Sequence, residues 1–410
     1  MRSEWDGWEA VELGELCSFR AGSAFKPDLQ GKSVGRYPFI KVRDLSNHEN
    51  SRFIRSSANW VDDEDVAALK AKPFAAQTVV FAKIGEALKS NRFRVLTQET
   101  LIDNNLMGAI PDPNRVDFPF FHYLLQELKI PELATGSAMP YLKQGDLVKL
   151  PVNLPPVDEQ RRIARVLGAL DDKIESNRRT AATLEEIAAT LFKARFVDFV
   201  DHDDLVESEI WPIPRGWEVG SLSEIGSVHR DMTDGTSGLP YIGLDVMPRG
   251  STVLSEWQAD DSPTGQSTRF EVGDILFGKL RPYFRKVGIA PIDGRCSTEI
   301  LVLRPHDLAY HGFLFGHVSS QRFIDHCVSV SRGTRMPRSE WKDAGLFEVA
   351  VPPSSEVAEL DRVMKSVYGT IRARIHESRT LATLRDALLP KFISGQIRVP
   401  ADAFEDAKAA

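Results

Sequence analysis

The chain repeats itself at a spacing close to half its length, which restricts it to folds made of two like units, each with its own core. Trp8-Glu9 leads into the steps Val11-Glu12-Leu13-Gly14-Glu15-Leu16, and Trp217-Glu218 leads into Val219-Gly220-Ser221-Leu222-Ser223-Glu224-Ile225. Residues 79–85 (VVFAKIG) match 275–281 (ILFGKLR). Gly136-Ser137-Ala138-Met139-Pro140 matches Gly333-Thr334-Arg335-Met336-Pro337, and Leu154-Pro155-Pro156 matches Val351-Pro352-Pro353, both at an offset of 197 residues. That offset also carries Ile174 onto Ile371, Leu184 onto Leu381 and Leu191 onto Leu388. A chain of 410 residues suits such a division, since single cores stop growing at about 250–300 residues.

Punctuation sets the boundaries. Residues 1–155 mix short β-type runs (37–42, 78–84, 106–110) with a helical pattern near 118–128, a mixed α/β globule. Pro155-Pro156 closes it, Asp158 is placed to cap a helix, and a long helix is expected over about 159–197, within a segment 156–198. An acidic and Pro-rich linker (199–214) leads to a second globule over 215–352. A second long helix is expected over about 355–389, within a segment 353–394, bent or ended by Pro390 and followed by a tail, 395–410.

The helices carry the clearest local pattern. Ile163, Leu167, Leu170, Ile174, Asn177, Ala181, Leu184, Ala188 and Leu191 recur at alternating spacings of four and three, the seam of a coiled coil. Leu360, Met364, Val367, Ile371, Arg374, Ser378, Leu381, Arg385 and Leu388 form a weaker second seam. A two-fold relation between the copies makes the helices antiparallel and brings Asn177 opposite Arg374. A polar pair there sets register at some cost in stability; the other reading is that both residues face solvent. Forty residues of helix span about 60 Å, enough to hold two globules apart. Two such globules suit two half-sites on one face of duplex DNA.

A net charge of −7 argues against nucleic acid only as an average. Residues 275–343 hold eleven Lys/Arg against six Asp/Glu, whereas 198–209 hold six acids and no Lys or Arg. Three scattered cysteines indicate neither disulfides nor zinc and read as reduced cytoplasmic thiols. No apolar run approaches a membrane span, and the N-terminus does not read as an export signal. P-loop and H-E-x-x-H motifs are missing, and the nearest string to an amino-methyltransferase motif, Asn153-Leu154-Pro155-Pro156, lacks its aromatic. Asp112, Glu127 and Lys129 superficially resemble a nuclease metal site, but the sequence around Glu127 reads as a helix rather than a strand. His122, His229, His311, His317 and His326 form no ligand constellation in the sequence and read as core or surface histidines.

The combination resembles the specificity (S) subunits of type I restriction-modification systems, and the similarity covers nearly the whole chain. It rests on the opening Trp-Glu steps, Asp274-Ile275-Leu276-Phe277 with its counterpart Val79-Val80-Phe81, the two Gly-(Ser/Thr)-x-Met-Pro segments, and LPPVDEQRRIARVLGALDDKIE at 154–175. The second copy, PPSSEVAELDRVMKSVYGTI, lacks the Glu-Gln-Arg core of that last string. The resemblance implies an α+β fold: two mixed α/β target-recognition domains related by pseudo-two-fold symmetry and separated by two long antiparallel coiled-coil helices. It also implies a non-catalytic chain of a phage-defence system that reads a bipartite target in double-stranded DNA. Its helices would dock two adenine-N6 methyltransferase (M) subunits and, through them, restriction (R) subunits. S-adenosylmethionine, ATP and Mg2+ would belong to those partners, with no cofactor or metal in this chain, and the assembly would be cytoplasmic with no membrane contact.

DNA contact requires cations for phosphates and a smaller set of polar groups for base edges. The candidates in the first domain are Lys83, Lys89, Asn91, Arg92 and Arg94, with Ser137, Tyr141 and Lys143 around the first Met-Pro segment. In the second they are Lys279, Arg281, Tyr283, Arg285 and Lys286, with Arg332, Arg335, Arg338 and Lys342 around the other. The bland reading of each is solvated surface. Two other functions stay open on sequence alone: a stand-alone, two-headed DNA-binding regulator, and a nuclease using Asp112, Glu127 and Lys129.

Overall fold

The computed structural model describes residues 7–47, 50–136, 139–233, 238–259 and 265–403. The chain divides into two compact units, one of residues 1–172 with 382–410 and the other of residues 173–381. Each therefore takes the beginning or end of both long helices, so the folded unit differs from the sequence repeat.

In the first unit the alternating apolar runs build a five-stranded sheet. Its order is Cys17–Ala21, Leu106–Pro111, Val79–Ala82, Arg94–Leu96, Phe53–Ile54, with a three-stranded sheet of Trp60–Val61, Tyr37–Ile40 and Leu101–Ile102 beside it in the sequence. Val79, Val80, Phe81 and Ala82 are all buried, as a central strand covered on both faces requires. The helix Phe118–Glu127 is capped by Asp117, whose side chain accepts from the Phe120 N–H at 3.3 Å, and it buries Phe120, Phe121, Tyr123, Leu124 and Leu125. Glu9–Glu12 pairs antiparallel with Pro151–Leu154, closing the globule just before its helix begins.

The second unit repeats these features. Its four-stranded sheet runs Gly226–His229, Ile300–Pro305, Ile275–Gly278, Val287–Ile289, and Glu218–Ser221 closes on Glu348–Val351. The repeated tryptophan has the same task in both: the Trp8 indole N–H donates to Glu159 at 3.1 Å and that of Trp217 to Glu356 at 3.3 Å. Each globule is thus tied to the first turn of the helix that follows it, and the carboxylate is well placed at a helix N-terminus.

The long helices run Val157–Phe196 and Ser354–Ile393. In the first unit, Ile163 and Leu167 share a core with Leu389, Phe392, Ile393 and Val399. In the second, Leu360 and Met364 share one with Ala188, Phe192, Phe196 and Phe199, and Ala181 packs with Ile371 and Ile375. Residues rising along one helix meet residues falling along the other, so the helices pack antiparallel within each unit. Asn177 and Arg374 approach one another through a third residue, Glu377. Arg374 donates to that carboxylate at 2.9 Å and Lys173 lies 3.4 Å away. Arg374 chiefly, with help from Asn177 and Lys173, holds the Glu377 carboxyl below its usual range.

Four sequence expectations change. Asp158 lies inside the first helical turn rather than capping it, because the helix begins at Val157. Pro390 lies within the second helix, which continues to Ile393 because buried Phe392 and Ile393 anchor the last turn to the core. Leu191 is 44% exposed, and Phe192 points inward in its place. A straight helix drifts about 20° per heptad from a 3.5-residue repeat, so that beyond Ala188, which is buried as the seam requires, the inward stripe has moved from Leu191 to Phe192 and Phe196. The linker is folded onto the second unit: Leu205–Val206 pairs with Ile213–Pro214, and Phe199 and Ile213 are in the core.

Candidate nucleic-acid interface

In each unit a central strand runs out into the same device. At the end of Val79–Ala82, the Lys83 N–H donates to the Asn105 carbonyl at 3.0 Å, the Lys83 carbonyl accepts from Leu142 at 2.9 Å, and the Gly85 N–H donates to the Pro140 carbonyl at 2.7 Å. After Ile275–Gly278, Lys279 donates to Glu299 at 3.0 Å and accepts from Ser339 at 3.0 Å, and Arg281 donates to Pro337 at 2.8 Å. These bonds moor a tight hairpin to the strand end. Thr135 and Tyr141 exchange both backbone hydrogen bonds at 3.0 Å, as do Arg332 and Arg338. Gly136 and Gly333 enter the turns at φ +95° and +97°, and a Cβ on either would lie 3.1 or 3.3 Å from the methionine carbonyl oxygen. That geometry accounts for the glycine of the Gly-x-x-Met-Pro segments.

The two copies of this scaffold carry different polar groups. In the first unit Lys83 is half-buried at the strand end and Tyr141 and Lys143 are exposed beside it, while Ser137 lies outside the described residues. In the second unit Glu340 stands at the repeat position of Lys143 and pairs with Lys279 at 3.1 Å. Arg338 stands at the position of Tyr141 and is held by Glu299 through bonds of 2.9–3.1 Å. Arg332 pairs with Asp343 at 3.3 Å, while Arg335 and Lys342 are exposed. Glu299 and Glu340 are absent from the sequence candidates. The signal that could have found Glu340 is its alignment with Lys143 at the 197-residue offset; nothing local marks Glu299.

Other candidates have internal partners. Asn91 donates to the Gln126 carbonyl at 3.0 Å, and Arg94 donates to the Phe93 carbonyl at 3.1 Å while burial pulls its pKa down to about 10. Lys286 reaches the Leu244 carbonyl, with burial first and Arg249 second lowering its pKa, and Arg285 donates to the Ser319 carbonyl at 3.2 Å. Arg92 bonds Ser46, and Lys89 pairs with its helical neighbour Glu86 at 2.8 Å. Tyr283 is exposed, with its ring edge-on to Phe284, and Arg281 is half-buried at φ +51°. Most of the cations in these two strand-end segments are thus engaged within the protein, and those of the second segment, Lys279, Arg281, Arg285 and Lys286, are all half-buried.

The residues of the loose nuclease pattern are otherwise employed. Asp112 accepts from the Asn114 N–H at 2.9 Å within a turn, Glu127 ends a helix, and Lys129 lies 4.0 Å from Glu132. Among the described residues no group of three or more His, Cys, Asp or Glu is placed to hold a metal ion. Cys17, Cys296 and Cys327 are buried, which pushes each thiol up to about 12.

Comparison with known proteins places these features in context. Residues 6–186 match the family model described as the type I restriction modification DNA specificity domain. The chain is 24% identical to the type I restriction enzyme MjaIX specificity subunit of Methanocaldococcus jannaschii, over 97% of this chain and 94% of that one. It is also 24% identical to the EcoDI specificity subunit of Escherichia coli, over 95% of this chain and 88% of that one. The fold is shared with a crystal structure of a type I restriction-modification system S subunit from M. genitalium, at a TM-score of 0.55 and 16% identity, covering 94% of this chain and 96% of that one.

Proposed function

We propose that the chain, whose residues 6–186 match the family model of the type I restriction modification DNA specificity domain and which resembles specificity subunits over nearly its whole length, is the DNA-reading subunit of such a complex. Each globule reads one half of a bipartite target, and the helices set the unread spacer. The observation that carries this reading is the moored hairpin: one scaffold occurs in both units, presenting Tyr141 and Lys143 in one and Arg338 and Glu340 in the other. Equal geometry with unequal donors and acceptors gives two readers of one design and different sequence preference.

The helices also dock two adenine-N6 methyltransferase subunits, and through them the restriction subunits. Ile187 and Leu384 are the same position in the two copies and are 45% and 46% exposed. Apolar groups so placed suit a partner that covers them. S-adenosylmethionine, ATP and Mg2+ act in those partners, and the assembly works in the cytoplasm. No described helix is long and apolar enough to cross a membrane.

Affinity purification of the tagged chain from its native cell, with bound proteins counted by mass spectrometry, tests the assembly. The expected result is two copies of an adenine methyltransferase per chain, after which methylated sites can be mapped to obtain the target. Recovery of the chain alone, still binding duplex DNA, would establish the stand-alone regulator instead. In the same assay Ile187→Glu or Leu384→Glu is expected to retain one methyltransferase copy and the double variant none; two copies in the double variant would remove these residues from the docking surface.

A further inference from the structure

We infer that the methionine at the tip of each moored hairpin is an apolar DNA contact, Met139 against one half-site and Met336 against the other. This inference rests on the proposed reading of the chain as a DNA-recognition subunit. Met139 and Met336 are 63% and 45% exposed. They occupy one structural position, at the offset of 197 residues. The glycines at φ +95° and +97° close the turn onto the methionine carbonyl, and the next residue, Pro140 or Pro337, accepts the bond that moors the hairpin. The methionine is therefore held at a fixed place on the surface.

Its surroundings select the partner. Over residues 136–143 the first copy carries Lys143 and no acid; over the equivalent 333–340 the second carries Arg335 exposed, with Arg338 held by Glu299 and Glu340 by Lys279. An exposed tyrosine accompanies each tip, Tyr141 in the first unit and Tyr283 in the second. An apolar tip with an exposed cation in the same turn, Lys143 in one copy and Arg335 in the other, matches duplex DNA, where the cation meets phosphate and the thioether meets base edges or a base step in a groove. Methionine suits the task because its unbranched, polarisable side chain adapts to the surface it enters.

The test uses the purified complex with its methyltransferases and a duplex carrying the target mapped from methylation, with affinity measured between 50 and 200 mM salt. Met139→Ala and Met336→Ala are each expected to weaken binding about tenfold, from the burial of one methionine side chain lost. The slope of log affinity against log salt should stay unchanged, because no phosphate contact is removed. Met→Leu at either position should restore most of the affinity, and melting temperature should not move in any variant. Unchanged affinity in the double alanine variant overturns the inference while leaving the DNA-reading function intact. Loss of methyltransferase copies at unchanged DNA affinity assigns the tips to the protein partner and also overturns it. If the wild-type complex binds no duplex, the proposed function itself fails.

Discussion

Asp171→Ala should destabilise the first unit by about 2–3 kcal/mol, the loss expected when a buried donor is left unsatisfied and a partly buried ion pair is broken. Asp171 accepts from the Tyr123 hydroxyl at 2.7 Å and from Arg385 at 2.7 Å, so one carboxylate joins the first globule to both long helices. Tyr123 is fully buried, and the Asp171 side chain is 12% exposed. Burial works against the Arg385 charge, and Asp171 with Asp386 more than offsets it, raising the guanidinium pKa. Alanine would strand the buried Tyr123 hydroxyl and take one of two carboxylates from Arg385, which keeps Asp386 at 2.7–2.9 Å, and the cost of stranding a buried donor exceeds the net worth of its bond when made. Hydrogen exchange resolved by peptide checks this, with protection expected to fall over 118–127 and 382–393 while the second unit keeps its own. Asp171→Asn, which preserves an acceptor but not the charge, should fall between. Wild-type protection in Asp171→Ala would show that the carboxylate carries no such load.

Acid should unfold both units well before their carboxylates titrate. His122 and His317 are buried, one in each unit, and desolvation lowers each imidazole pKa to about 3. The unfolded value is near 6.5, so between these limits the unfolded chain binds a proton that the folded unit refuses. The stability carried by the neutral ring is fully present above the unfolded pKa and is lost as pH falls toward the folded one. Each of these histidines costs its unit about 2 kcal/mol between pH 7 and pH 5, and about 4 kcal/mol by pH 3. His311, also lowered chiefly by burial, adds loss of the same sign in the second unit, which should therefore be the more acid-sensitive. Urea midpoints at pH 7, 6 and 5 measure the slope, and His122→Gln should flatten it for the first unit alone. A midpoint independent of pH over that range would mean that water reaches these rings in solution.

Much of the site was legible because its backbone is local. The strand run 79–85, its echo at 275–281 and the Gly-x-x-Met-Pro segments were visible as strings, and each proved to be a contiguous piece of the moored hairpin. Which cations in those pieces face solvent was not legible. Arg335 and Lys143 are exposed, whereas Lys279 and Arg338 are occupied by Glu340 and Glu299, and no spacing rule distinguishes a lysine with a carboxylate opposite from one without. Arg385 makes the same point in the helices. It sits where the heptad calls for an apolar residue, yet the place is filled by a guanidinium because Asp171 faces it.

By itself the sequence determined the elements whose causes lie within a few turns of chain: two like halves, the central strands, two forty-residue helices with an inward stripe, and the glycines of the hairpin turns. Periodicity and dihedral preference act over such distances, so they can be read in one dimension. The tertiary structure decided which pieces share a core. It put the last turns of the second helix with the first globule and the end of the first helix with the second globule, folded the acidic linker down, and carried the helix through Pro390. Those outcomes depend on burying Phe192, Phe196, Phe392 and Ile393 against residues far away in the chain, and burial is non-directional, proportional to area and indifferent to sequence separation.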